Sequence, residues 1–113
     1  MDVLDRIKAL VDEQPIVLFM KGTPAFPMCG FSSRAAEALK SVGAQFHAVN
    51  VQEDPSVRAS LPHFGNWPTF PQLYIQGELI GGCDIIEDLK ASGQLGRMVN
   101  DLQSAAMEAE RPA

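Results

Sequence analysis

Cys29 is the residue with the most chemistry to offer in this chain of 113 residues. It lies in "PMCGFSS" (27–33), and three positions on, where a dithiol redox pair would carry its second cysteine, stands Ser32. C-x-x-S keeps the nucleophile and gives up the resolving thiol. The residues after Cys29 have a helical pattern, so the thiol faces a helix start. There the unsatisfied N–H groups and the positive end of the dipole favour a thiolate over the ~8.5 of a free thiol. Lys21, close in sequence, works in the same direction. A free cysteine is otherwise a small buried hydrophobe, and it is the Pro/Gly loop leading into a helix that argues for reactivity here. Cys83 is less distinctive. It follows Gly81-Gly82, which lets the backbone approach a neighbour closely, and packing alone would account for it. His47, in a strand pattern, and His63, near a helix end, have no ligand partner nearby in sequence, so both are read as structural. Glu53 and Asp54 read as turn and helix-cap residues, and Phe31 as a ring packed beside the thiolate.

The elements around Cys29 are legible. Val3, Leu4, Ile7, Leu10 and Val11 recur at helical spacing up to Pro15. "PIVLFM" (15–20) is a short continuous apolar run, the pattern of a strand buried on both faces. The breaker-rich "KGTPAFPM" follows, and a helix is predicted from Gly30 to about Val42, stopped by Gly43. "FHAVNV" (46–51) alternates as a second strand. Asp54-Pro55 opens a third helix that closes near Gly65. "PQLYIQGELIGG" (71–82) predicts two strands about a Gln76-Gly77 turn, and Asp84 is a natural N-cap for "IIEDLKASG". A last helix spans about 94 to 108. One domain is expected over 1–108, with 109–113 a disordered tail. The order α-β-α-β-α-ββ-α-α predicts a parallel βαβ unit extended by an antiparallel hairpin. This is an α/β, thioredoxin-like fold: a four-stranded mixed sheet flanked by helices. Cys29 then lies beyond the carboxyl end of the first strand, where open α/β sheets bind ligands.

Composition narrows the class. With 46% apolar residues the chain can build one modest core. A net charge of −5 and a sequence pI near 4.8 disfavour nucleic acid or an anionic membrane surface as partner. No apolar run approaches the ~18 residues of a membrane span. The acidic, amphipathic beginning resembles neither a secretory signal nor a transit peptide. Two cysteines make no disulfide scaffold, so a reduced, cytoplasmic protein is expected.

Three separated stretches, "MKGTPAFPMCGFS" (20–32), "NWPTFPQLY" (66–74) and "GGCD" (81–84), agree in order and spacing with monothiol glutaredoxins of the CGFS type. The chain resembles that family from its first helix to about residue 105, and is most similar to its short, single-domain bacterial members. The resemblance implies a glutathione pocket. Lys21 and Arg58 would hold the glycine carboxylate, a guanidinium being able to do so bidentately. Pro71 would follow a cis bond that turns the Phe70 N–H and C=O outward, to pair with the ligand as an added strand does. Asp84, with the N–H groups of Cys83 and its own and with Gly82 beside them, would take the γ-glutamyl end. Thr69 and Trp67 would shape the groove.

Two functions fit a lone working thiol. In one, Cys29 takes the glutathionyl group from a protein mixed disulfide and a second glutathione releases it, a route that needs no second cysteine. In the other, Cys29 is a metal ligand. A [2Fe–2S] cluster takes four thiolates, and two chains with two bound glutathiones would supply them in a homodimer. The residues alone leave the two near even. The resemblance favours the second, because CGFS-type proteins are associated with cluster storage and delivery, often with BolA-like partners and apo iron–sulfur acceptors. They are poor glutathione-dependent reductases.

Overall fold

A computed structural model of the chain describes residues 2–109. Helix α1 (Val3–Glu13) is capped by Asp2, whose carboxylate accepts the Asp5 N–H at 3.0 Å, and it buries Ile7 and Val11. Strand β1 (Ile16–Met20) is buried at every position, as a continuous apolar run requires. Helix α2 (Gly30–Ser41) follows. Its buried face of Ala35, Ala36, Ala38 and Leu39 is mostly small, which lets it lie close to the sheet. Gly43, at φ +74°, leaves the helix through the left-handed region. Strand β2 (His47–Asn50) pairs parallel to β1. Helix α3 (Pro55–Gly65) is capped by Asp54, which accepts the Val57 N–H at 3.2 Å, and it ends at Asn66 in the left-handed region. Strands β3 (Gln72–Ile75) and β4 (Glu78–Gly81) form the hairpin about Gln76-Gly77.

The sheet order is β2-β1-β3-β4, with β3 antiparallel to β1. The period of two along β1 divides its side chains between two cores. Ile16, Leu18 and Met20 join the core with α2, Ile86, Leu95 and Val99; Val17 and Phe19 join Ile7, Val11, Val57, Leu61 and Tyr74 under α1 and α3. The expected mixed sheet with helices on both faces is what forms.

One expectation needs correction. Asp84 is not the N-cap of the helix after β4. That helix, α4 (Cys83–Ala91), starts one residue before Asp84, with Gly82 as its cap. Extended backbone at Gly82 directs its carbonyl to the Ile86 N–H at 3.0 Å, closing the first turn early. Asp84 is therefore the second helical residue, where a carboxylate still faces the positive end of the dipole. The last helix, α5 (Gln94–Ala109), buries Leu95 and Val99. The expected tail lies outside the described residues from 110 onward.

Candidate functional site

Cys29 is the N-cap residue of α2, with extended backbone (φ −156°, ψ 137°). Its Sγ makes no full capping hydrogen bond, but the Ser32 N–H faces it and is the main cause that lowers its pKa. Partial burial opposes this, while the Phe31 N–H, the Lys21 charge and the Ser32 hydroxyl add to it. The thiolate is thus favoured chiefly by the amides of the first helical turn, with the nearby cation in a lesser role.

Ser32 is fully buried although polar. Its Oγ accepts the Lys21 N–H at 3.0 Å, so the residue in the resolving-cysteine position ties the end of β1 to the start of α2. The loop between them is strapped at several points. Asn50, at the end of β2, accepts the Gly22 and Gln52 N–H groups at 3.0 Å each. The Met28 N–H returns to the Lys21 carbonyl at 3.0 Å, and Lys40 Nζ holds the Pro24 carbonyl at 3.0 Å. Gly22 has φ +86°, and a Cβ there would lie 2.6 Å from the Met28 nitrogen, so this crossing admits only glycine. The strapped loop turns Phe26 and Met28 outward, 79% and 67% exposed, on the approach to Cys29.

Cys29 opens onto a cleft of about 770 Å³. Lys21, Arg58, Thr69, Phe70, Pro71, Gly82, Cys83 and Asp84, the residues nominated for glutathione, all line it, with Trp67, Pro68, Phe31 and Ile85. They come from the ends of β1 and β4, the starts of α2 and α4, α3, and the loop before β3. The Phe70–Pro71 bond is cis. Among the described residues, Lys21, Arg58 and Asp84 take part in no ion pair. Two cations and one carboxylate thus border the same cleft outside these ion pairs, although the Arg34 charge still acts on Asp84.

Glycine at the floor permits a close approach. A Cβ on Gly82 would meet Trp67 Nε1 at 3.2 Å and the Pro71 carbonyl at 3.3 Å, and one on Gly81 would lie 2.6 Å from Ile85. Trp67 Nε1 is buried there without a hydrogen-bond partner. Phe31 lines the cleft beside Cys29; it is 55% exposed, its ring lies beneath the Arg34 guanidinium, 5.1 Å away, and its N–H favours the thiolate. His47 and His63 are exposed.

Sequence reasoning missed Gln72. Fully buried in β3, its amide nitrogen donates to the Trp67 carbonyl at 2.8 Å and the Thr69 carbonyl at 3.2 Å. Its Oε1 accepts from the Tyr74 hydroxyl at 3.0 Å. Tyr74 is itself 2% exposed, and burial pushes its pKa up to about 12. A glutamine within an apolar strand was the available signal. Arg34 and Glu87, which meet beside Cys83, carried no signal, because their pairing depends on how α2 packs on α4.

The chain matches the family model "Glutaredoxin" over residues 16–80. It is 49% identical over 102 residues to Glutaredoxin 4 of Pasteurella multocida, covering 90% of this chain and 94% of that one. It is 42% identical over 109 residues to Glutaredoxin 4 of Escherichia coli, covering 96% and 94%. Reduced poplar apo GrxS14 superposes with a TM-score of 0.75 at 44% identity, covering 88% of this chain and 92% of that one. A buckwheat glutaredoxin–glutathione complex gives a TM-score of 0.76 at 27% identity, covering 87% of each. These neighbours share the thioredoxin-like arrangement of sheet and helices found here. With a family match over more than half its length and close relatives along nine-tenths of it, the chain belongs to the glutaredoxin family.

Proposed function

We propose that the protein is a monothiol glutaredoxin of the CGFS type that binds, stores and transfers [2Fe–2S] clusters with glutathione as co-ligand. The observation that carries this reading is the donor set of the cleft. It borders Cys29, whose surroundings favour the thiolate, and Cys83, whose thiol is buried and hydrogen-bonded to a carboxylate. One chain then offers one soft ligand, and a four-thiolate cluster has to recruit the rest. Two Cys29 thiolates from two chains and two glutathione thiolates complete the count. In this reading Lys21 and Arg58 bind the glycine carboxylate of glutathione. The Phe70 backbone pairs with its peptide, Thr69 and Pro71 shape the wall, and the Gly82–Asp84 turn takes the γ-glutamyl end. The glutathione bound in the buckwheat complex supports glutathione as the ligand here.

The cluster is cargo, so the reading implies donors and acceptors: a BolA-like partner and apo iron–sulfur proteins. It also places the protein in the reducing cytoplasm; no described helix is long and apolar enough to cross a membrane. Anaerobic reconstitution with glutathione, iron and sulfide is the test. Two irons and two acid-labile sulfides per two chains are expected, and Cys29→Ser should abolish both. Colourless protein after reconstitution, or equal loss of iron in Cys29→Ser and Cys83→Ser, would refute the ligand set.

A second reading has its own observation. The lowered pKa of a part-exposed Cys29 suits attack on a glutathionylated protein disulfide, with glutathione completing the cycle. Turnover of a glutathionylated peptide by colourless protein would favour it.

A further inference from the structure

Cys83 shares the wall of the cleft with Cys29, yet the proposed function assigns its sulfur no task. It is 6% exposed, and its Sγ donates to Glu87 Oε1 at 3.2 Å, one helical turn along α4. The same oxygen receives Arg34 Nε from α2 at 3.4 Å. Asp84 completes the surroundings, the ligand atoms of Cys83, Asp84 and Glu87 lying within 4.8 Å of one another. That triangle does not suit a cation, because the Arg34 guanidinium already compensates Glu87. With its proton, Cys83 gives the carboxylate a hydrogen bond. Without it, a thiolate in this partly desolvated corner would face two carboxylates, with only the Arg34 guanidinium to favour it.

We propose that Glu87 is a positioning residue that holds Cys83 as a hydrogen-bond-donating thiol, so that a cleft with two cysteines presents the single thiolate of Cys29. Burial, then Glu87, raises the Cys83 pKa, and Arg34 opposes them. A second thiolate in the cleft would compete with Cys29 as a soft donor for iron, and Glu87 suppresses that competition. This consequence rests on the function proposed above, but the hydrogen bond is measurable on Cys83 alone.

The experiment uses the full chain in a Cys29→Ser background, where alkylation by iodoacetamide against pH reports Cys83 only. Glu87→Gln keeps the shape and removes the charge. It should lower the midpoint and raise the thiolate fraction at pH 8 about threefold or more. Glu87 is 43% exposed, so the fold should persist, and far-UV circular dichroism checks this. Arg34→Gln removes the opposing cation and should raise the midpoint. A merely structural role would loosen access, changing the plateau rate in both variants without moving either midpoint. An unmoved or raised midpoint in Glu87→Gln, or an unmoved or lowered one in Arg34→Gln, overturns the proposal. Neither glutathione nor iron enters the measurement, so its failure is separate from failure of the cluster reading.

Discussion

At Cys29 a small set of amides decides reactivity. The Ser32 N–H is the largest cause of the lowered pKa, and Lys21 contributes less. A lowered pKa means that the thiolate persists to lower pH than in a free thiol. The alkylation rate of Cys29, measured in a Cys83→Ser background, should therefore reach its plateau with a midpoint below ~8.5. Lys21→Ala should raise that midpoint only slightly, since the helix amides remain. A midpoint at or above the free-thiol value would remove the shared premise of both functional readings. Lys21 and Arg58 are also the unpaired cations of the cleft. Replacing either by alanine should weaken glutathione binding by roughly 1–3 kcal/mol, the range for a lost charge-assisted hydrogen bond, with little change in circular dichroism. Titration calorimetry giving wild-type affinity in both variants would exclude them from the site. Cys29 and Ser32 were legible because their meaning lies in spacing along the chain. Arg34 and Glu87 were not, because the partners lie 53 positions apart and meet only when α2 packs on α4.

Among the elements, the cleft depends most on the loop between α3 and β3, and that loop hangs on Gln72. Its side chain satisfies the Trp67 and Thr69 carbonyls and the Tyr74 hydroxyl at once. Gln72→Leu would leave the buried Tyr74 hydroxyl and the two part-buried carbonyls without this partner, so a loss of roughly 2–4 kcal/mol in unfolding free energy is expected. Glutathione affinity should fall as well, since Trp67, Thr69 and Phe70 line the cleft. Chemical denaturation and calorimetry read the two effects separately. Full stability in Gln72→Leu would mean that the loop is held by other contacts. Strand and helix positions were legible because apolar period and cap residues are local signals, as at Asp54-Pro55 and across "PIVLFM". The start of α4 was not. Asp84 has the chemistry of a cap, but the early turn closes through the Gly82 carbonyl, a backbone event that side-chain preference does not encode.

For the whole molecule the decisive quantity is the count of thiolate ligands. The two buried cores consume most of the large apolar side chains, and the exposed ones near Cys29 are Phe26, Met28, Phe31 and Ile85. The chain carries a net charge of −5, so two free copies repel one another at long range. Association is therefore expected to come from the shared cluster, with the apo form monomeric. If two Cys29 thiolates and two glutathione thiolates hold the cluster, assembly follows mass action in both components. Holo protein should rise with the square of free chain and, below saturation, with the square of free glutathione. Exhaustive removal of glutathione by gel filtration should then bleach the protein and return monomers together. Size-exclusion chromatography with in-line visible absorbance follows both properties in one run. A brown monomer, or a brown dimer that survives complete loss of glutathione, would refute this ligand set. It would point instead to protein-only ligation involving Cys83, freed from its hydrogen bond to Glu87.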